Sequence, residues 1–322
     1  MTSILSRIIT PLTALAVAVL FALVLPLYAN KYVVFAANLA FVYIILATGL
    51  NVLLGYTGLL AFVNAALFGV GAYGMAILRT HYGVPYAVAL PAGAVVALVI
   101  GVLVALPALR LSGLYLALAT IAFAQFAFWV FSHWDSVTGG PSGVRVAPVD
   151  YLLPVEWDVA HYYVSLAIAC AVIWLTANLL RSRIGRSFVA VRESEVAAES
   201  LAIDITRVKT IAYGLSAFLA GLAGGLFGPM LSLVVPESYD LFQVIVQFAM
   251  VIVGGLGSLA GSVIGAVALI WLQEALRAFK ELQEIAFGGM ILLTVLFLPG
   301  GIVQLIRNLL PSWKEPLRRR CP

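Results

Sequence analysis

The sequence predicts an all-α, polytopic membrane protein of about ten transmembrane helices, and three observations carry that expectation. Hydrophobic residues make up 63% of the 322, charged residues only 10%, and mean hydropathy is +1.10, whereas soluble domains average about 25% charged. Apolar runs of about 20 residues, the length that crosses a bilayer, recur along the whole chain. The charges collect between these runs, above all in RSRIGRSFVAVRESEVAAESLAIDITRVK at 181–209. The chain reads as a single transmembrane domain over 1–322, with 181–209 facing one side and a polar loop at 133–160 facing the other.

The first span, roughly 11–29, follows Arg7 and lacks a small-residue cleavage site, so it reads as a retained helix and not a signal peptide. Spans at about 34–54 and 60–78 flank GLNVLLGYTGLLAFVNAALFGVGAYG, where glycines at 49, 55, 58, 69, 71 and 74 permit close helix contact or a broken helix. Asn51 and Asn64 lie in this stretch, and a buried amide needs a partner, which another helix or a transported solute supplies. Two readings therefore stand side by side for Asn51, Asn64, Gly69 and Gly71: tight helix packing, or a lining of the substrate pathway. Spans at about 85–106 and 113–132 lead to the polar loop, whose Gly, Pro and acidic residues suit a structural loop or a partner-binding one. Spans at about 160–180 and 209–228 bracket the charged segment. The run at about 242–256 is short enough to be partly re-entrant, and VGGLGSLAGSVIGA separates it from runs at about 259–277 and 286–306.

Charge fixes the sidedness. With both termini cytoplasmic, the inner segments hold Arg7, Arg110, Arg181, Arg183, Arg186, Arg192, Arg207, Lys209, Arg307, Lys314, Arg318, Arg319 and Arg320, which is 13 of the 18 Lys and Arg. The outer segments keep Lys31, Arg79, Arg145, Arg277 and Lys280. Within 181–209, Phe188, Val191, Val196, Leu201 and Ile203 fall among charges, giving an amphipathic cytoplasmic helix that needs a cover: the membrane surface or a partner protein.

Several function classes fall away. The cations lie in loops and form no basic domain face for nucleic acid. Cys170 lies inside a span and Cys321 beside the C-terminus, so no disulfide framework is implied. His133 and His161 lack any metal-ligand spacing, no cofactor motif is present, and no nucleophile–base constellation marks an enzyme. No G-x-x-x-x-G-K-[ST] occurs, so the chain has no phosphate-binding loop of its own. Nor does an Asp, Glu, Lys or Arg fall mid-span, where ion-coupled carriers place their titrating groups. The energy for transport must come from elsewhere, unless the chain is a facilitator for a neutral solute.

The glycine-rich stretch, RLSGLYLALATIAF at 110–123, TGGPSGV at 138–144, SRIGRSFVAVRESEVAAESLAIDITRVK and MVIVGGLGSLAGSVIGA at 250–266, in that order, resemble the LivM-type permeases of branched-chain amino-acid ABC importers. The resemblance implies a cobalamin-importer-like fold in a bacterial cytoplasmic (inner) membrane. It also implies four kinds of partner: membrane lipid, a second homologous permease subunit, two ATP-binding subunits and a soluble solute-binding protein. By resemblance 181–209 is the ATPase-coupling segment, with Arg192, Glu193, Glu195 and Ala198 in its motif and Ala202 where the family has Gly, a change that implies a looser bend. Where the family commonly reads G-Q-L-S-L-G-H-A-A, this chain has Gly58 to Ala66 with Asn64 at the histidine position, and Gln125 stands where Glu is common. The resemblance as a whole implies leucine, isoleucine or valine as the solute; if these departing positions line the pathway, they point instead to urea, a short amide or an organic acid, which relatives with the same overall pattern carry.

Overall fold

The computed structural model describes residues 30–304 apart from 112, 148, 150, 152–155, 277–279 and 298–299, together with 22, 23, 25 and 26. Helices form nearly all of it. They are α1 (Lys31–Asn51), α2 (Asn64–Tyr82), α3 (Tyr86–Ala108), α4 (Leu114–His133), α5 (Trp157–Arg181), α6 (Arg183–Glu193), α7 (Glu195–Ser200), α8 (Ile205–Leu231), α9 (Leu241–Gly254), α10 (Leu259–Ala275) and α11 (Lys280–Phe297). A two-residue antiparallel ladder pairs β1 (Val144–Arg145) with β2 (Leu233–Val234), Val144 opposite Val234.

Among the described residues six segments are long and apolar enough to cross a membrane: Lys31–Tyr56, Tyr86–Ala108, Leu114–His133, Trp157–Arg181, Ile205–Leu231 and Pro236–Gly254. Three other expected spans are helices that fall below this measure: α2 carries Asn64 at its start and Arg79, Thr80 and His81 at its end, α10 is 17 residues long, and α11 opens with Lys280, Glu281 and Glu284. The run at 11–29 lies almost wholly outside the described residues, as do both chain ends on which the sidedness of the termini was reckoned. Of the described residues of that run, Ala22 and Leu25 pack against the small cluster of Val34, Tyr162 and Leu166.

The hub is α8. It packs most extensively on α3 and α2 and then on α1, and most of its length is buried. Small residues make that possible: a Cβ added to Gly71 of α2 would lie 2.2 Å from the Cα and carbonyl oxygen of Gly221 on α8, so the two backbones touch with no room for a side chain. Around this contact, Tyr43, Phe68, Tyr73, Phe131, Phe227 and Tyr239 form an aromatic cluster with centroid separations between 4.8 and 6.4 Å. Helices α3, α4 and α5 lie around the hub and present apolar residues such as Leu103, Phe126, Trp129 and Trp174 outward.

The glycine-rich stretch is a broken helix, as one of the two sequence readings allows. α1 continues into a π-helical turn over Val52–Tyr56 and then stops. The backbone N–H and hydroxyl of Thr57 both donate to the Val52 carbonyl, at 3.1 and 2.9 Å, closing the turn. Residues 57–63 run free before α2 begins at Asn64. A second break lies at 255–258 between α9 and α10, where Ser258 caps α10 through its side chain. Thr57, Leu59, Ala61 and Val63 of the first break and Gly255, Gly257 and Ser258 of the second are buried, and irregular backbone is tolerated at membrane depth where protein covers it.

Candidate coupling segment and translocation site

Segment 181–209 is built from caps. Ser182 accepts from the Ile184 N–H at 3.2 Å and starts α6, Ser194 accepts from the Ala197 N–H at 3.2 Å and starts α7, and Asp204 accepts from the Arg207 N–H at 3.0 Å and starts α8. The sequence reading of one amphipathic helix thus becomes two short helices at an angle, because Ser194 is extended (φ −164°) and cannot continue α6. α6 buries Gly185, Phe188 and Val191 against the bundle. α7 buries Ala198 and leaves Glu195, Val196, Ala197 and Glu199 exposed. Val196 is 79% exposed and the adjoining Leu201 72%.

Two basic side chains fasten this segment to the spans. Lys209, whose side chain is only 8% exposed, donates to Glu195 Oε1 at 2.7 Å and ties α7 to the first turns of α8. Removing Glu195 would leave a nearly buried ammonium unpaired, the costly way to break such a pair. Arg192 Nη1 donates to the Gly55 carbonyl in the π turn at 2.6 Å and Nη2 to Glu193 at 3.1 Å. The bend after α7 is tight, not loose. Ile203 N–H donates to the Ala198 carbonyl and Ala202 N–H to the Glu199 carbonyl, at 3.1 and 2.9 Å, the two bonds of a Schellman stop, with Ala202 itself at φ +59°. The turn therefore places the Ala202 Cβ in the left-handed region, which L-residues disfavour.

The expected pathway residues separate into two groups. Asn51 is fully buried. Its Oδ1 accepts from the Gly257 N–H at 2.9 Å, and its Nδ2 donates to the Ser258 carbonyl at 2.7 Å and Ser262 Oγ at 2.8 Å, stitching the first helix break to the second. Asn64 is buried where α2 starts. Its Nδ2 donates to Gln247 Oε1 of α9 at 3.1 Å and its Oδ1 accepts from Ser216 Oγ of α8 at 3.0 Å. Gly71 makes the backbone contact with Gly221, and Gly69 sits against Phe131 and Tyr239, where a Cβ would come within 2.7 Å of the Phe131 ring. Gln125, by contrast, is exposed near the middle of α4, beside Phe126 and within one turn of Trp129.

Sequence reasoning did not find Ser216, Gln243, Gln247, Ser258 or Ser262. A signal existed for two of them: Gln243 and Gln247 stand four apart in an otherwise apolar run and so share a helix face, on which Gln243 Nε2 donates to the Tyr43 hydroxyl at 2.6 Å. Among the described residues no group of three His, Cys, Asp or Glu is placed to hold a metal. On the opposite side, His161 and Tyr151 meet at 2.5 Å and His161 Nε2 faces the Leu226 carbonyl at 3.1 Å, while Arg79 and Thr80 bond the carbonyls of Ala147 and Arg145. These bonds pin the 133–160 loop onto α2, α5 and α8.

The family of branched-chain amino acid transport system permease components matches this sequence over residues 32–296. The chain belongs to that family. The permease is 32% identical over 307 residues to the high-affinity branched-chain amino acid transport system permease protein LivM of Salmonella typhimurium, covering 88% of this chain and 72% of the relative. It is 31% identical to LivM of Escherichia coli with the same coverage, and 28% identical over 177 residues to LivH of Escherichia coli, covering 50% of this chain and 56% of that one. No solved structure matches it. Membership makes the chain a multi-pass transmembrane transport subunit of the inner membrane, and not an enzyme.

One consequence for the permease follows from Ala202. A non-glycine residue at positive φ costs about 1–2 kcal/mol, against about 0.5–1 kcal/mol for the extra chain entropy that Gly loses on folding. Ala202→Gly is therefore expected to raise the melting temperature of the purified permease by one to a few degrees, roughly the effect of 0.5–1 kcal/mol. An unchanged or lower value would show that the Schellman turn carries no strain.

Proposed function

We propose that this permease is one of two membrane subunits of an ATP-driven importer that brings leucine, isoleucine and valine into the cytoplasm. In this reading a second homologous permease completes the channel, two ATP-binding subunits hydrolyse ATP, a soluble solute-binding protein delivers the amino acid, and both termini are cytoplasmic. The observation that carries the reading is α7: a capped, anchored helix on a cationic segment that holds Val196 and Leu201 out into solvent. Two large apolar side chains fixed outward on a charged segment suit a protein groove. The sequence likeness to both LivM and LivH of one organism supports a pair of related permeases. A cobalamin-importer-like arrangement of the helices belongs to the same proposal.

Within it, Asn51, Asn64, Gly69 and Gly71 act from inside the bundle by holding the helices that move, and Gln125 faces the solute path. An amide set at mid-length among Phe126, Trp129 and other outward apolar residues is poorly placed against lipid, and a second permease seated on α4 would enclose it. The departures from the family pattern at 58–66 fall on interior contacts: Leu59 and Ala61 are buried, Phe62 stacks on Phe248 at 4.5 Å, and Asn64 is hydrogen-bonded through both its nitrogen and its oxygen. They therefore give no reason to prefer urea, short amides or organic acids over branched-chain amino acids.

The test is reconstitution. Proteoliposomes containing this chain, the homologous permease, both ATP-binding subunits and the binding protein are expected to concentrate leucine only when ATP is supplied, and this chain alone is expected to concentrate nothing. Uptake by the chain alone would establish a facilitator, and a complete system that moved urea but no branched-chain amino acid would overturn the substrate assignment.

A further inference from the structure

We infer that Arg192 is the positioning residue of the coupling step, a single side chain that ties the coupling segment to both helix breaks. The inference rests on the reading of 181–209 as the ATPase-docking segment and goes beyond it by naming where the motion is received.

The two glycine clusters that stand out in the sequence meet at this side chain. Gly58, at φ +76°, lies directly beneath it: a Cβ there would come within 2.8 Å of Arg192 Cγ. Gly257, at φ +70°, lies at its tip: a Cβ there would stand 3.1 Å from Nη1 and 3.2 Å from the Gly55 carbonyl oxygen. Gly55 supplies the acceptor for Nη1, and its Cα faces the other break so closely that a Cβ would sit 2.4 Å from the Gly257 nitrogen. Glycines 55, 58 and 257 thus form a slot that the Arg192 stem and guanidinium fill. Asn51 closes the far side of the slot by binding Gly257, Ser258 and Ser262 at once.

The mechanical consequence follows from the connectivity. α6 ends one residue after Arg192, and its continuation, α7, carries the exposed apolar pair. A pull on α7 reaches Arg192 through a short rigid path and is delivered to the Gly55 carbonyl. That carbonyl belongs to a π turn, where the α-helical ladder is already broken and little must be undone to move it. Because Asn51 locks this turn to residues 257–262, the break that leads into α2 and the break that leads into α10 move together. Arginine suits the position because its planar fork donates at Nη1 to Gly55 while Nη2 engages Glu193; a lysine ammonium has neither that reach nor that fork.

The experiment uses the complete transporter in proteoliposomes with leucine-loaded binding protein, and compares wild type, Arg192→Ala, Arg192→Lys and Gly257→Ala. Three quantities are read: leucine uptake, ATP hydrolysed per leucine, and the melting temperature of the complex. A fourth reading, cross-linking of a Cys introduced at 196 to the ATP-binding subunit, is made in each background. ATP hydrolysed per leucine is expected to rise about 10-fold in Arg192→Ala, the scale of a typical coupling free energy, with cross-linking and melting temperature kept. Arg192→Lys is expected to lie between wild type and Ala, and Gly257→Ala to behave like Arg192→Ala by crowding the slot from the other side. Cross-linking with an unchanged ATP-to-leucine ratio in all three variants would overturn the inference while leaving the docking reading intact. The same holds if uptake, hydrolysis and melting temperature fall in parallel, which would make Arg192 a structural residue. Absence of the cross-link in the wild-type background would overturn the docking reading itself, and this inference with it.

Discussion

Gly71→Ala is expected to lower the melting temperature of the purified permease by several degrees or to prevent its accumulation, while Gly74→Ala, one turn along the same helix, is expected to leave it unchanged or raise it. Both changes exchange the weakest ordinary helix former for the strongest, worth about 1 kcal/mol in favour of the variant. The difference lies in what the new methyl meets. At Gly71 it meets the Cα and carbonyl oxygen of Gly221 at 2.2 Å, backbone atoms of the hub helix that have no rotamer to retreat into. At Gly74 the nearest atom is the Gly93 Cα at 3.3 Å, which a few tenths of an ångström of relaxation accommodates. Overpacking a well-packed site costs about 1–3 kcal/mol and occasionally more, and a backbone-to-backbone clash belongs at the upper end, so the propensity gain is outweighed at Gly71 and not at Gly74. The reciprocal change Gly221→Ala should behave like Gly71→Ala, since its methyl would meet the Ala97 Cβ at 2.5 Å and the Ala94 Cα at 2.9 Å. Melting of the three variants in one detergent checks the set; equal melting temperatures for Gly71→Ala and Gly74→Ala would refute the contact.

Gly71 also shows how far the sequence carries. Its close approach to another helix was legible from glycine density alone, because in a membrane interior small residues are what let backbones meet. The identity of the other helix was not, since Gly221 lies in a run with its own glycines at 224, 225 and 228 and nothing local selects the pairing. Asn64 repeats the lesson. A buried amide in an apolar run announces that it has partners, yet Ser216 and Gln247 lie 152 and 183 residues away, and only the packing of α2, α8 and α9 brings them together.

Segment 181–209 was legible as a unit because charge singles it out, whereas its division at Ser194 was not, because an extended serine followed by a good helix sequence is visible mainly as a cap once the backbone is known. Runs that are long and uniform, as at 86–108 and 157–181, form helices long and apolar enough to cross a membrane, whereas polar ends or a 17-residue length leave α2 and α10 as helices below that measure. The glycine clusters were read as two separate features, and their meeting around Arg192 is a tertiary fact.

Val196→Asp together with Leu201→Asp is expected to abolish co-purification of the ATP-binding subunits while leaving the fold of the permease intact. The fold should survive because these two side chains are 79% and 72% exposed, so carboxylates there displace little packing within the chain. The complex should not survive. Burying a Val and a Leu in a partner's groove is worth about 1.5–3 kcal/mol each, and a carboxylate carried into the same groove adds a desolvation cost with no partner to offset it. Even the lower figure for each, about 3 kcal/mol together, corresponds to more than a hundredfold in affinity. The same double substitution separates the two covers that an amphipathic cytoplasmic segment admits. Docking in a protein groove needs no bilayer, so co-purification from detergent should hold in the wild type and fail in the variant. A helix that rests on lipid would show equal co-purification in detergent and would differ only in the protection of residues 195–201 from hydrogen exchange between detergent and vesicles. Equal recovery of the ATP-binding subunits with both proteins would retire α7 as their docking surface, and with it the route by which ATP hydrolysis reaches the two helix breaks.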